Sequence, residues 1–204
     1  ALKGPWSRFK PFERQQLLLR LADLVEAHYA DLARLESLDY GGAISRTSAR
    51  RRRHVGLLRY YAGLSASIQG ETIENSIPGE YLSYTLREPV GVVGAIYAWN
   101  APLDMLIWKL APALATGCTV VLKPAVEAAL TALRVGELLL AAGCPAGVVN
   151  IVPGGIEAGR ALVQHPLVNK ISFTGSTRAG QDIVRASAGT MKRLSLELGG
   201  KSPD

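Results

Sequence analysis

The rhythm of apolar and polar positions changes twice along the chain. In "PFERQQLLLRLADLVEAHY", Leu17, Leu21, Leu24 and Val25 recur at helical spacing on one face, and Pro11 suits the first turn. A second helix is predicted over "TSARRRRHVGLLRYYAGL", with Val55, Leu58 and Tyr61 on its apolar side. The stretch "ETIENSIPGEYLSYTLREP" then abandons helical periodicity. Pro78–Gly79 divides it into two short runs, which read as a protruding hairpin at about residues 71–88. It is more polar than a core strand, and its exposed edge is a candidate for pairing with another subunit.

From Val90 onward, apolar runs alternate with helical segments. The runs are "VGVVGAIYA", "CTVVLK", "GVVNIV", "NKISFT" and "KRLSLEL". Between them lie "LDMLIWKLAPALATG", "AALTALRVGELLLAAG", "IEAGRALVQH" and "RAGQDIVRASA". Strands that are apolar throughout, separated by helices, indicate a parallel sheet covered on both faces. The fold class is therefore α/β: a Rossmann-like five-stranded parallel sheet with helices on both faces, preceded by N-terminal helices and the hairpin. Ligands of such sheets bind beyond the carboxyl ends of the strands, so the residues after each strand carry the functional information.

Composition narrows this picture only slightly. A chain of 204 residues can bury one sizeable core, and 48% hydrophobic with 20% charged residues is ordinary for a globular protein. No apolar run approaches the roughly 18 residues needed to span a bilayer, and "ALKGPWSRFK" lacks a signal-peptide layout. With only Cys118 and Cys144, a disulfide scaffold is not expected and a reducing cytoplasm is the default. The formal charge of +6 owes four units to Arg50–Arg53, so the basicity is local. That run reads as a solvated helix face rather than a nucleic-acid patch, because no aromatic platform accompanies it. The chain opens without methionine and closes soon after "LELGG", which reads as a piece of something longer.

Each strand end offers two readings. After the fourth strand, "FTGSTRAGQDI" places Gly175 and Gly180 around Ser176 and Thr177: a phosphate-binding turn at a helix N-terminus, or an ordinary connection. Lys123, at the end of "TVVLKPA", suits a ribose or phosphate, or else points to water. Gly154 and Gly155 clear space for a ligand or simply make a turn. Asn100 in "IYAWNAPLDM" aims an amide at developing negative charge or caps the next helix. Glu197 before "LGG" is a general base or an exposed edge carboxylate.

Taken in order, "AWNAPL", "GCTVVLKP", "GVVNIVPG", "FTGSTRAG" and "LELGGKSP" strongly resemble the NAD(P)-dependent aldehyde dehydrogenases, as do "LRYYAG" and "YTLREPVGVVGAI". The resemblance covers nearly the whole chain as that family's cofactor-binding domain. It implies a cofactor site formed by Ile96, Trp99, Lys123, Val126, Gly154, Phe173, Thr174, Gly175, Ser176, Gly180, Leu198 and Gly199. Within it, Ser176 and the Trp99 region lie near the pyrophosphate and Lys123 bonds the adenosine ribose. Asn100 donates to the oxyanion of the hemithioacetal, and Glu197 activates the water that hydrolyses the thioester. Lys109 matches a family lysine near the active-site floor and is a possible proton relay. The implied reaction oxidises an aldehyde to a carboxylic acid, with NAD or NADP as cofactor and no metal. The implied assembly is a homodimer or homotetramer, with the hairpin as the oligomerisation element.

The family's nucleophilic cysteine lies some thirty residues beyond Glu197 in a second domain, which this chain lacks. Cys118 and Cys144 fall outside that motif and read as packing residues. The chain alone is therefore expected to be inactive; the competing reading is a non-catalytic nucleotide-binding or assembly module. A short-chain dehydrogenase is disfavoured, because no tyrosine has a lysine four residues on. Two departures from the family pattern stand out. Val126 occupies the place of a ribose-binding glutamate, with Glu127 one residue later, so NADP is expected to be tolerated or preferred. "GGIEAG" is slightly tighter than in many relatives. Retention of Glu197 favours hydrolysis to a free acid over transfer to coenzyme A.

Overall fold

A computed structural model of the protein describes residues 4–201; Ser202 and Pro203 of the last motif lie outside the described residues. The N-terminal layer begins with a 3-10 turn, Pro5–Arg8. Its buried Trp6 donates Nε1–H to the carbonyls of Gly117 at 2.9 Å and Cys118 at 3.1 Å. Helices α1 (Pro11–Ala27), α2 (Tyr29–Tyr40), α3 (Ile44–Ala49) and α4 (Arg51–Ser65) follow. Pro11 holds the first helical position of α1, where its missing N–H costs nothing. Leu17, Leu21 and Val25 are fully buried and Leu24 packs beside them, as the periodicity requires.

The hairpin is present, but its ladder is short: β1 (Thr72–Ile73) pairs antiparallel with β2 (Ser83–Tyr84). Five parallel strands form the main sheet: β3 (Val92–Ile96), β4 (Thr119–Lys123), β5 (Val149–Ile151), β6 (Lys170–Thr174) and β7 (Arg193–Glu197). They lie in the order β5-β4-β3-β6-β7. The crossovers are α5 (Pro102–Ala115), α6 (Leu130–Ala141), α7 (Ile156–Gln164) and α8 (Thr177–Ser187).

Side-chain alternation along β3 divides the interior. Val93, Ala95 and Tyr97 join a large core with α1, α2, α4, α5 and α6, whereas Ile96 and Val92 join a smaller one with Val163, Ile171, Phe173 and Ile183. The apolar content of β3 thus reflects burial on both faces.

One predicted helix is two. The segment from Thr47 to Leu64 bends at Arg50, which ends α3 and precedes α4. Arg51, Arg52 and Arg53 are exposed, as a solvated face requires, but Arg50 is drawn inward. Arg50 donates to the buried Asp104 Oδ2 at 2.5 Å, and Arg53 sits 3.5 Å from Oδ1 with its guanidinium over the Trp108 ring. His54 Nε2 lies 3.0 Å from Oδ1, while Nδ1 is 2.9 Å from the Tyr29 hydroxyl. Arg51 pairs with Glu26 on the outside. Two members of the run, Arg50 and Arg53, thus serve a carboxylate in the first turn of α5 that is buried against α4, and a buried charge needs partners.

Burial alone pushes the Asp104 carboxyl upward. The His54 contact and the charges of His54, Arg50 and Arg53 outweigh it, and the pKa ends below the usual carboxylate range. A depressed folded-state pKa stabilises above the unfolded value of about 3.9, and that stability is lost as pH falls through the folded value. Asp104→Ala is expected to cost about 3–5 kcal/mol at pH 7, because it strands buried cations. Urea unfolding should show the gap from wild type narrowing only below about pH 4. A gap independent of pH contradicts this assignment.

Candidate functional site

Pairing registers align the strand ends. Ile96 is opposite both Lys123 and Phe173, and Thr174 is opposite Glu197, so four strands terminate along one edge. From β3 the chain steps outward to β4 and β5, then returns to lay β6 and β7 on the other side of β3. The crevice between the ends of β3 and β6 is therefore the topological switch point, the expected ligand position in an open parallel sheet.

Two loops flank this crevice. The loop after β3 carries Trp99 and Asn100, both exposed. Asn100 does not cap α5: Ala101 holds the N-cap position and no side chain of the cap bonds the helix. The amide of Asn100 is thus not committed to the helix. After β6, Gly175 N–H donates to the Glu197 carbonyl at 3.1 Å, extending the sheet by one bond. Ser176 caps α8, its Oγ accepting from Ala179 N–H at 3.3 Å. A Cβ on Gly175 would lie 2.5 Å from the Phe173 ring, and one on Gly180 the same distance from Leu198. Small residues thus let α8 begin directly against the ends of β6 and β7, close to Gly199. The remaining first-turn amides of α8 lie at the positive end of the helix dipole, beside the end of β6, an arrangement that favours an anion.

Lys123 does not point to water. It is buried and donates Nζ–H to the Pro124 carbonyl at 2.9 Å, and a Cβ on Gly159 would only touch its stem. Burial lowers its pKa and the Glu127 charge opposes that shift. Val126 and Glu127 share a 3-10 turn, Val126–Ala128, and both are exposed there. Glu127 therefore still acts on Lys123 from one position further along. Gly154 is required by close approach, since a Cβ there would lie 2.8 Å from that of Ala158.

On the sheet face turned toward α5, the outer strands are polar. Lys109, projecting from α5, donates to Ser172 Oγ at 3.0 Å, and Lys170 donates to Ser195 Oγ at 2.6 Å. Glu197 is exposed on the edge strand β7 and shares this face by alternation. Burial, the larger effect, brings the Lys109 ammonium down to about 8; the Glu197 charge opposes the shift and Lys170 adds to it. Lys109 and Glu197 are therefore electrostatically coupled. Cys118 and Cys144 are buried and unpaired, and burial pushes the Cys144 thiol up to about 11, so neither is a ready nucleophile. A cavity of about 560 Å³ beside Glu88, Asn169 and Arg193 lies at the amino ends of the strands, at the opposite end from Glu197.

Sequence reading missed the groups that hold this edge from behind. Glu36 and Asp39 of α2 accept hydrogen bonds from Leu103 N–H at 3.2 Å and Leu130 N–H at 2.8 Å, and the Asp104 cluster adjoins the first. The available signals were an aspartate inside the apolar stretch "APLDMLIW" and two carboxylates near the C-terminus of α2, where the helix dipole disfavours them.

The sequence profile of the aldehyde dehydrogenase family matches residues 1–204. Phenylacetaldehyde dehydrogenase of Pseudomonas fluorescens is 51% identical over 207 residues, covering 97% of this chain and 41% of that protein. An aldehyde dehydrogenase of Enchytraeus buchholzi is 52% identical over 201 residues, covering 94% and 39%. The structure of a Bacillus cereus aldehyde dehydrogenase in complex with NAD+ superimposes with a TM-score of 0.95 at 48% identity, covering 99% of this chain and 41% of that one. The chain thus spans about two-fifths of the length of these proteins.

The coupling at the polar face has a direct check. Titration of the lysine ε-carbons by NMR should give one resonance with a midpoint near 8, against about 10.4 for exposed lysines. Glu197→Gln should lower that midpoint further by removing the charge that raises it. A Lys109 midpoint above about 10 contradicts the geometry.

Proposed function

The chain belongs to the aldehyde dehydrogenase family, and from that membership we propose that it supplies the cofactor site, the oxyanion donor and the water-activating base for NAD(P)-dependent oxidation of an aldehyde to a carboxylic acid. The observation that carries this reading is convergence. Trp99–Asn100, Gly175–Ser176, Lys123 and Glu197 come from four different strand ends and meet along one edge around the switch point.

The residues fit a dinucleotide. The α8 N-terminus, cleared by Gly175 and Gly180, receives the pyrophosphate, and buried Lys123 presents its donor on the ribose side. Ile96, Phe173 and Leu198 pack together beneath this edge, Thr174 and Gly199 follow on the same strand ends, and Gly154 lies too close to Ala158 to carry a side chain. Bound NAD or NADP supplies the hydride acceptor that no side chain provides.

A cysteine thiolate adds to the aldehyde carbon, and Asn100 donates its amide N–H to the oxygen that gains charge. Hydride leaves the same carbon, giving a thioester. Glu197 takes a proton from water, whose oxygen attacks the thioester carbon; the thiolate departs and the free acid is released. Lys109, at about 8 and coupled to Glu197, is suited to pass that proton onward. Because Cys118 and Cys144 are sealed in the core, the nucleophile is assigned to a segment outside these residues, and the 204-residue chain by itself is expected to show no turnover. The exposed Ile73, Ile77, Tyr81, Leu82, Tyr84 and Leu86 of the hairpin support its pairing with a second subunit.

Cofactor preference follows from Val126. An aliphatic side chain there neither bonds the ribose 2′-hydroxyl nor repels a 2′-phosphate. Titration calorimetry with this chain should find the NADP dissociation constant within about tenfold of that for NAD, and Val126→Glu should weaken NADP selectively. NAD binding more than about tenfold tighter in the wild type would end the NADP reading. Failure to bind either nucleotide, or aldehyde turnover by the chain alone, would overturn the broader assignment.

A further inference from the structure

Helices α5 and α6 both begin at the carboxyl edge of the sheet, immediately after the two loops assigned to chemistry and to the ribose. Neither has a local cap. The N-cap residues are Ala101 and Ala129, which have no side-chain acceptor. Both caps come instead from one distant helix. Glu36 Oε1 accepts from Leu103 N–H at 3.2 Å, and Asp39 Oδ2 accepts from Leu130 N–H at 2.8 Å. The two carboxylates are three residues apart near the C-terminus of α2, so they lie on one face of the helix.

That placement works against α2 itself. Carboxylates there oppose its dipole, and no basic residue of the last turn offsets them. Glu36 is fully buried, with Oε2 unpartnered among the described residues. Local helix stability therefore does not account for either residue. What they do together is satisfy first-turn amides on two other helices, and their negative charge complements the positive ends of both dipoles.

We infer that α2 is a two-pronged positioning element for the active edge: Glu36 fixes the start of α5 and thereby Asn100, and Asp39 fixes the start of α6 and thereby the Lys123–Glu127 segment. Asn100 immediately precedes the α5 N-cap, and the Val126–Ala128 turn immediately precedes the α6 N-cap. The Asp104 cluster braces the same first turn of α5 from the α4 side. Glu36 and Asp39 touch neither substrate nor cofactor in this arrangement; they act through the loops they hold. The inference rests on the roles assigned above to Asn100 and Lys123.

The two prongs have separable signatures. Glu36→Met and Asp39→Leu keep bulk while removing the acceptor; Glu36→Gln and Asp39→Asn keep one. In a protein carrying this chain with the nucleophile-bearing segment, phenylacetaldehyde is the probe and NAD the cofactor. Glu36→Met is expected to lower kcat about tenfold with the NAD dissociation constant within about twofold of wild type. Asp39→Leu is expected to do the reverse, weakening NAD about tenfold at nearly unchanged saturating kcat. The Gln and Asn variants should recover most of each loss. Variants that move both parameters together, or neither, overturn the inference.

Asn100→Ala keeps the two levels apart. If it leaves kcat unchanged, the assignment of Asn100 falls; if it lowers kcat while Glu36→Met does not, only the positioning role falls. Should the acceptor-free variants not fold, amide exchange in the wild-type chain decides. First-turn helix amides ordinarily exchange freely, so Leu103 and Leu130 must be protected; solvent-rate exchange at either one refutes its cap.

Discussion

Burial of β3 on both faces is the constraint from which the rest of this architecture follows. A central strand sandwiched between two cores cannot expose chemistry along its length; it can do so only where it ends. Its neighbours β4 and β6 are held in register by evenly spaced parallel bonds, so their ends are forced to the same edge. Everything with functional potential then collects there, on loops that are short because each must turn at once into a helix returning across the sheet.

That economy creates an electrostatic problem. Helices that begin at this edge leave first-turn N–H groups there, and at α5 and α6 the N-cap residue is an alanine that cannot accept from them. The chain resolves it in two ways. At α8 Ser176 takes one of the amides itself. At α5 and α6 the acceptors come from α2. The buried Asp104 lies one residue after Leu103 and brings its own cations. A terminus capped by its own serine and two capped from a distant helix thus distinguish the two sides of the crevice.

The parts of this arrangement that are local in sequence were legible there. Five apolar runs gave five strands, Pro11 gave a helix start, and "FTGSTRAG" gave a capped turn with glycines at points of close approach. Lys123 was located at its strand end, but its burial was not, because whether such a side chain reaches water depends on what packs over it. The bend at Arg50 was also hidden. Nothing in the periodicity of "TSARRRRHVGLLRYYAGL" marks it, and the contact that Arg50 makes there is with a carboxylate 54 residues later. The Glu36 and Asp39 caps span 67 and 91 residues. Contacts of that range leave only indirect traces, such as a charge in an apolar run or an acid at the wrong end of a helix.

The long reach of these contacts also bears on how the chain comes into being. Trp6 hydrogen-bonds to carbonyls more than a hundred residues downstream, and the apolar faces of α1 and α4 are buried against α5. During synthesis at about 5–20 residues per second, the leucines of α1 emerge several seconds before the helix that covers them exists. The nascent N-terminal helices have only each other to pack against in that interval. Their pairing through Arg59 with Asp23 and Glu26 provides charged contacts that need no other element. The apolar faces of α1 and α4 are therefore closed only once α5 is in place.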